Sequence, residues 1–288
     1  MGFLFVDEIS HLDPGKCISG IKYVRPDEPY LYRTREGIDA LLPVIIGETL
    51  GQLGAWCVMC AQDFTHRPVA GIVSSVHVYG DAPVGSTLVL ETEIDSLLED
   101  AMQYHATASL EGKPVFTIES AIGPLLPMQM FVSQQEVRSQ FAQIYQPECP
   151  RALKAPGLRD AYYPHTVFDK ISSFEAGVSV VAEKTIDPSA PYFTDHFPLK
   201  PVLPMTILLN CKLMLASLFI KRSFPDLYPH FKLLSMQRIK MKEFVSPGAL
   251  ITTRMTVKEQ TDLEILLDFQ SLVADKCVCR AQALFVRA

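Results

Sequence analysis

The chain has 288 residues, enough for about two domains of ordinary size. Hydrophobic residues make up 48% of it and charged residues 20%, a composition that supports a folded core and excludes general disorder. The formal net charge of −6 argues against a nucleic-acid-binding protein, because such proteins present a basic surface.

The first residues, MGFLFVDEIS, place two acidic side chains where a secretory signal needs an uninterrupted apolar run. A clean membrane span needs about 20 apolar residues in succession. Two stretches, 41–59 and 202–220, approach that length, but each is interrupted by two polar residues: Glu48 and Gln52 in the first, Asn210 and Lys212 in the second. We therefore expect a cytoplasmic protein with no stable membrane insertion, whose seven cysteines are reduced.

The chain contains an internal repeat. When the sequence is shifted by 162 residues, the segment 7–45 aligns without gaps with its copy, and ten of the pairs are identical, among them Tyr30 with Tyr192. Further along, a shift of 163 residues pairs Gly85 with Gly248. A repeat of this length indicates a duplicated domain and not a solenoid module.

Both halves show the same order of predicted elements. A short strand is followed by one long apolar helix and then by four strand-like runs, several of which alternate apolar and polar residues. A helix that is apolar nearly all round must be buried on most faces, so we predict an antiparallel sheet curved around it. The predicted strands are 17–23 and 177–186, the predicted helices are about 38–61 and 204–221, and tight hairpin turns are expected at Gly112–Lys113 and Asp275–Lys276.

The segment 124–164 belongs to neither copy. It holds one polar helical stretch, SQQEVRSQFAQI, among several prolines, which predicts an ordered linker with one helix. The expected organisation is an N-terminal domain 1–123, a linker 124–164 and a C-terminal domain 165–288.

The most specific motif is YFTDHFPLKPVLP, at 192–204, which runs directly into the second apolar helix. It resembles the signature of the 3-hydroxyacyl-[acyl carrier protein] dehydratases of the FabZ/FabA type, and the opening segment VDEISHLDPGK resembles the start of the same family. These proteins have the hotdog fold, in which a curved sheet wraps a central helix. Because both halves carry the resemblance, it implies an α+β double hotdog, two such domains fused as a pseudo-dimer.

The resemblance also implies a catalytic pair, His196 and Glu48. The family carries an acidic residue fourteen positions after its motif histidine, where this chain has Asn210. In the first half Glu48 matches the acid, whereas Thr34 stands where the histidine belongs. Since hotdog dimers of this family combine the histidine of one subunit with the acid of the other, His196 and Glu48 are expected to form one complete site. The Thr34/Asn210 pair is expected to be inert.

The implied reaction is the dehydration of (3R)-3-hydroxyacyl thioesters to trans-2-enoyl thioesters in acyl-chain biosynthesis, with no metal and no other cofactor. A histidine can take the α-proton at neutral pH, and a carboxyl can supply a proton to the leaving hydroxyl directly or through a water. Where the family has a glycine at each helix start, this chain has Val44 and Met205. The residues expected to bind substrate are Gln52, Val44, Met205, Phe197 and Pro198.

Eight basic residues and one acid between Lys200 and Lys242 predict a docking face for an acidic partner, either an acyl carrier protein or the phosphates of coenzyme A. The fused pseudo-dimer could associate further into a homo-oligomer. Cys57 and Cys60, which suggest a metal or redox pair, are interpreted as core packing. Two alternatives stay open: a hotdog acyl thioesterase, and a non-catalytic module that binds acyl thioesters.

Overall fold

Each half of the chain folds as a curved antiparallel sheet around one long helix. The computed structural model describes residues 3–145 and 167–287. The first half contains β1 (Glu8–Asp13), β2 (Cys17–Tyr23), β3 (Leu31–Arg33), β4 (Asp39–Leu41), α1 (Pro43–Ala61), β5 (His66–Pro68), β6 (Ile72–Val78), β7 (Ala82–Pro83), β8 (Thr87–Leu97), β9 (Ala101–Leu110), β10 (Lys113–Pro127) and α2 (Gln134–Ile144). The second contains β11 (Lys170–Glu175), β12 (Ser179–Thr185), α3 (Met205–Ser223), β13 (Phe231–Met241), β14 (Leu250–Gln260), β15 (Glu264–Val273) and β16 (Lys276–Arg287).

One continuous sheet joins the halves. In the described residues its order is β1-β2-β8-β9-β10-β6 in the first half, followed by β13-β16-β15-β14-β12-β11 in the second, with β5 paired on the side of β10. The junction is the antiparallel pair β6–β13, in which Val73 lies opposite Ile239 and Val76 opposite Met236. The two helices contact each other beneath this junction. Hotdog packing in both halves was predicted from the sequence and is confirmed.

Each central helix begins at or directly after a proline. Pro43 opens α1 and Pro204 directly precedes α3, positions at which the fixed backbone of proline suits a helix start. The predicted helix 38–61 was therefore too long at its N-terminal end. Residues Asp39–Leu41 instead form β4, which pairs with β3 and β7 in a separate three-stranded sheet.

Two tight hairpins connect the last strands of each half. The residues at the turns, Glu111–Gly112 and Ala274–Asp275, all have positive φ, as two-residue hairpin turns require. Strand β10 continues to Pro127, because its last residues pair with β5. The expected domain boundary at residue 123 thus falls within a strand, while the other end of the expected linker, at 164, lies outside the described residues.

Helix α1 is long and apolar enough to cross a membrane by length and composition alone. In this fold 67% of its most apolar 18 residues are buried inside the protein, as expected for the core helix of a hotdog domain. Helix α2, the predicted linker helix, is capped by the Ser133 side chain, which accepts a hydrogen bond from the Glu136 N–H.

Helix α3 carries a lysine inside the core. Lys212 is fully buried, and its ammonium donates a hydrogen bond to Ser271, whose hydroxyl also bonds Thr253. Burial lowers the pKa of Lys212, because the charged form loses its hydration. The repeat-equivalent residue in α1 is Leu50, which is likewise fully buried. Lys212 therefore does not belong to the basic surface predicted between residues 200 and 242.

We predict that Lys212→Met stabilises the protein by about 1–4 kcal/mol at pH 7, because an apolar side chain of similar volume removes the cost of burying an ammonium. Below the pKa of about 10.4 of an unfolded lysine, the unfolded chain binds more protons than the folded one. As the pH increases toward that value, the free energy of unfolding of the wild type should therefore increase relative to that of the variant. Urea unfolding at several pH values measures both effects.

The matched control is Lys22→Met. Lys22 is also buried, but it forms ion pairs with Glu28 and Asp7. Its removal leaves a buried carboxylate without its partner, so this variant should lose about 3–5 kcal/mol. Equal destabilisation of both variants would contradict the interpretation of Lys212.

Candidate active site

A cavity of about 150 Å³ opens between the two halves, under the β6–β13 junction. Helix α1 brings Glu48 to it from the second turn of the helix, and the loop before α3 brings His196. The structure thus places the two predicted catalytic residues, 148 positions apart in sequence, around one cavity. Much of the wall is aliphatic and comes from both halves: Val73, Val76, Val78, Ile118, Leu209, Met236 and Ile239.

The ring of His196 is fixed in one tautomer. Its Nδ1 lies 3.0 Å from the carbonyl oxygen of Val202, which can only accept, so Nδ1 carries the proton and donates it. Nε2 is consequently left with a free lone pair. Burial lowers the pKa of His196, and the nearby Glu48 carboxylate opposes that shift without cancelling it. The imidazole is therefore neutral at pH 7 and suited to accept a proton.

Glu48 is held by hydrogen bonds to both of its carboxylate oxygens. The hydroxyl of Thr206, in the first turn of α3, donates to Oε2 at 2.7 Å. The side-chain amide of Gln52, one turn further along α1, donates to Oε1 at 3.0 Å. The helix can approach the sheet closely at this point because it carries glycine: a Cβ at Gly47 would lie 3.1 Å from the ring of Phe116. The carboxylate is thus oriented by one residue from each half.

The N-terminal segment packs beside the site. The Phe3 N–H donates to Asp195, next to His196, and the Phe3 carbonyl accepts from Gln52 at 3.1 Å. The Phe5 N–H donates in turn to the side-chain oxygen of Gln52 at 2.9 Å. The Phe3 ring meets His196 edge-on at 5.5 Å between centroids. Gln52 therefore orients Glu48 and also holds the N-terminal segment in place.

The residues expected to bind substrate fall into two groups. Val44, Met205 and Phe197 line the cavity together with Gln52. Met205 is the first residue of α3, so its N–H has no acceptor within the helix and is available to a ligand. Pro198, in contrast, is exposed and does not line the cavity. It lies in a surface turn in which the Lys200 N–H donates a hydrogen bond to the Phe197 carbonyl at 3.1 Å.

The Thr34/Asn210 pair does not reproduce the site on the other side. Thr34 lies in the turn between β3 and β4, where its hydroxyl accepts from the Ile38 N–H at 3.2 Å. Asn210 is buried in α3, and neither residue lines the cavity. The asymmetry arises because the segments before the two central helices differ. In the first half this segment is the β3–β4 hairpin, which pairs with β7, whereas in the second half it is the loop that carries His196. The Thr34/Asn210 pair therefore does not mirror the His196/Glu48 site, and its expected inertness stays a prediction.

Two residues of the cavity wall were missed by the sequence reasoning. Thr206 is a polar residue among apolar neighbours at the start of α3, and its repeat equivalent is Val44. Arg67, on β5, is the one arginine between positions 38 and 80. Of the cysteines singled out, Cys57 is fully buried and burial raises its pKa to about 11, as for a packing residue.

Comparison with known proteins agrees with these features. A family model described as a FabA-like domain matches residues 163–282. A 3-hydroxyacyl-[acyl-carrier-protein] dehydratase FabZ from Caldicellulosiruptor saccharolyticus is 32% identical over 114 residues, which are 39% of this chain and 81% of that protein. The FabZ of Lactobacillus helveticus is 26% identical over 124 residues, covering 43% of this chain and 84% of the relative.

Solved structures resemble the whole double domain. The dehydratase domain of PpsC from Mycobacterium tuberculosis has a TM-score of 0.58 at 10% identity and covers 98% of both chains. An acyl-ACP thioesterase from Bacteroides thetaiotaomicron has a TM-score of 0.55 at 11% identity, with 93% of this chain and 97% of that chain covered. At such low identity these structures show the shared hotdog fold alone. The FabZ relative that is 32% identical over 81% of its length shows that the chain belongs to the FabA/FabZ-like family of hotdog proteins.

Proposed function

We propose that this protein dehydrates (3R)-3-hydroxyacyl thioesters to trans-2-enoyl thioesters at the single site formed by His196 and Glu48. The observation that carries the proposal is the pairing, in one cavity, of an imidazole with a free Nε2 lone pair and a carboxyl oriented from two sides. A thioesterase also uses a carboxylate on the central helix, but it has no need of a histidine fixed opposite it.

In the proposed reaction Nε2 of His196 removes a proton from C2 of the acyl group. The electron pair of the C2–H bond moves toward the thioester oxygen, and it then forms the C2=C3 double bond as the C3–O bond breaks. Glu48, as a carboxylate, orients the departing hydroxyl. The imidazolium gives the proton it took from C2 to that hydroxyl, so that water leaves and His196 is neutral again. During the reaction the thioester oxygen gains negative charge, and we assign its stabilisation to the Met205 N–H, which has no acceptor within the helix.

The carrier of the acyl group is proposed from the basic residues between positions 200 and 242. Apart from the buried Lys212, the basic residues of the 200–242 stretch are exposed or partly exposed: Lys200, Lys221, Arg222, Lys232, Arg238, Lys240 and Lys242. A basic face attracts an acidic acyl carrier protein, and it also attracts the phosphates of coenzyme A. Both carriers belong in the test of activity.

We predict that wild-type protein converts 3-hydroxyacyl thioesters with the appearance of enoyl absorbance, and that His196→Ala and Glu48→Gln each lower kcat by about a hundredfold or more. The double variant should be little worse than either single one, because the two residues act as a unit. Circular dichroism establishes that the variants are folded.

The same assay separates the alternatives. Free thiol released without enoyl absorbance would indicate a thioesterase instead. Binding of acyl thioesters with no turnover of any kind would indicate a non-catalytic module. Full activity in Glu48→Gln would contradict the composite site.

Thr206→Val should lower kcat by about ten- to a hundredfold with little change in KM. The hydroxyl bonds a carboxylate, and such a bond is worth about 1.5–3 kcal/mol. The matched control is Thr34→Val, the same change at the turn outside the cavity, which should alter kcat by less than about threefold. Similar losses in both variants would show that Thr206 has no specific role.

The pH dependence of kcat/KM should report His196. Because burial lowers the pKa of His196, the imidazole stays neutral, and therefore active as a base, to lower pH than an exposed histidine. The acidic limb of the profile is expected below the ordinary histidine pKa of about 6.5. An acidic limb centred above that value would exclude His196 as the base in the environment described.

A further inference from the structure

Arg67 brings a positive charge to the cavity that the proposed reaction does not use. It lies on β5, which follows α1 and pairs with the end of β10, where Arg67 is opposite Leu126. Its side chain lines the cavity, with the guanidinium carbon 4.4 Å from the centre of the Phe197 ring. Arg67 also interacts electrostatically with His196 and Glu48. The charge therefore lies beside the catalytic pair.

The guanidinium has no hydrogen-bond or ion-pair partner among the residues that the structure describes. Glu48, the acid that influences it, is not within ion-pair distance, and its oxygens are already bound by Thr206 and Gln52. Arg138 offers a contrast. It also stacks on a phenylalanine ring, that of Phe64 at 4.9 Å, but it forms an ion pair with Asp63.

Arg67 is half-buried, so water can still reach it from the cavity. A cation that has no hydrogen-bond partner in the protein becomes costly when a ligand removes that water. Burial lowers the pKa of Arg67 to about 10, so the side chain remains charged at neutral pH. A bound acyl group displaces the water that otherwise solvates the guanidinium. A purely hydrocarbon ligand would offer no acceptor to the guanidinium N–H groups, whereas an anionic oxygen would accept one or two of them in charge-assisted hydrogen bonds.

We propose that Arg67 binds an anionic oxygen of the bound acyl thioester and is thus a substrate-contacting residue of this site. The proposal rests on the proposed function for the class of ligand. Two oxygens have this chemistry. One is the thioester oxygen, which becomes enolate-like when His196 removes the C2 proton and the electron pair shifts toward C1. The other is a carboxylate carried by the acyl group itself.

The experiment compares two matched pairs of CoA thioesters. A cavity of about 150 Å³ accommodates a ligand of roughly benzene size, which favours short acyl groups. Turnover is measured with 3-hydroxypentanoyl-CoA and 3-hydroxyglutaryl-CoA, which differ by a terminal methyl against a carboxylate. Binding is measured by calorimetry with the corresponding saturated thioesters, pentanoyl-CoA and glutaryl-CoA. The proteins are wild type, Arg67→Met, Arg67→Lys and the control Arg138→Met.

If the enolate is the partner, Arg67→Met lowers kcat by about a hundredfold on both hydroxyacyl substrates, with KM nearly unchanged and partial recovery in Arg67→Lys. If a carboxylate is the partner, wild type binds glutaryl-CoA more than about tenfold more tightly than pentanoyl-CoA, and Arg67→Met abolishes that preference. Arg138→Met should match wild type throughout. The calorimetric result stands even if no thioester is dehydrated, so failure of the proposed function and failure of this proposal are distinguishable.

Two outcomes would overturn the proposal. The first is that Arg67→Met matches wild type in turnover and in binding of both pairs. The second is that its kcat/KM is reduced only at low pH and recovers the full wild-type value at higher pH. Removing the arginine charge raises the pKa of His196, so such a recovery would mean that Arg67 acts only through His196 and contacts no substrate.

Discussion

The pairing of β6 with β13 is the constraint on which the site depends. It fuses two curved sheets into one and fixes the position of each half relative to the other. With the sheets fixed, the N-terminal part of α3 must lie near the first turns of α1, and Thr206 reaches across to Glu48. The cavity is lined from both sides of the junction, so neither half can form the site alone. The packing of the two halves therefore determines the geometry of the site.

The two halves have diverged in a complementary way. The first half has the carboxylate, Glu48, on its helix. The segment before that helix is the β3–β4 hairpin, which pairs with β7. The second half retains the histidine loop, whereas its helix carries Asn210 and the buried Lys212 in place of an acid and an aliphatic residue. Thr34 and Asn210 stand at the repeat-equivalent positions of His196 and Glu48, so each half contributes one member of the ionisable pair that meets in the cavity.

Much of this was accessible from the sequence because duplication leaves a strong signal. The predicted strand 17–23 matches β2, and the equivalence of the helices follows from the gap-free alignment of the two copies. The pairing of His196 with Glu48 needed a resemblance to a known family, since nothing local relates residues 148 positions apart. Thr206 and Arg67 were not predicted, because the sequence does not show which side chains face the cavity. Lys212 was assigned to the surface on residue type alone, and Pro198 was assigned to the site because it stands next to Phe197 in the motif.

The presence of both halves in one chain has a consequence for how the site responds to concentration. In a hotdog homodimer, dilution separates the subunits and destroys every composite site, so activity per molecule falls as the protein becomes scarce. Here the two halves belong to one chain, so each half meets the other at a high effective concentration that does not change when the protein is diluted. The site should therefore survive at protein levels far below those that a dimer needs. In exchange, the fused pair of domains holds one His196/Glu48 pair where a homodimer would hold two, so under the proposed function a tight ligand should saturate the protein at one molecule per chain.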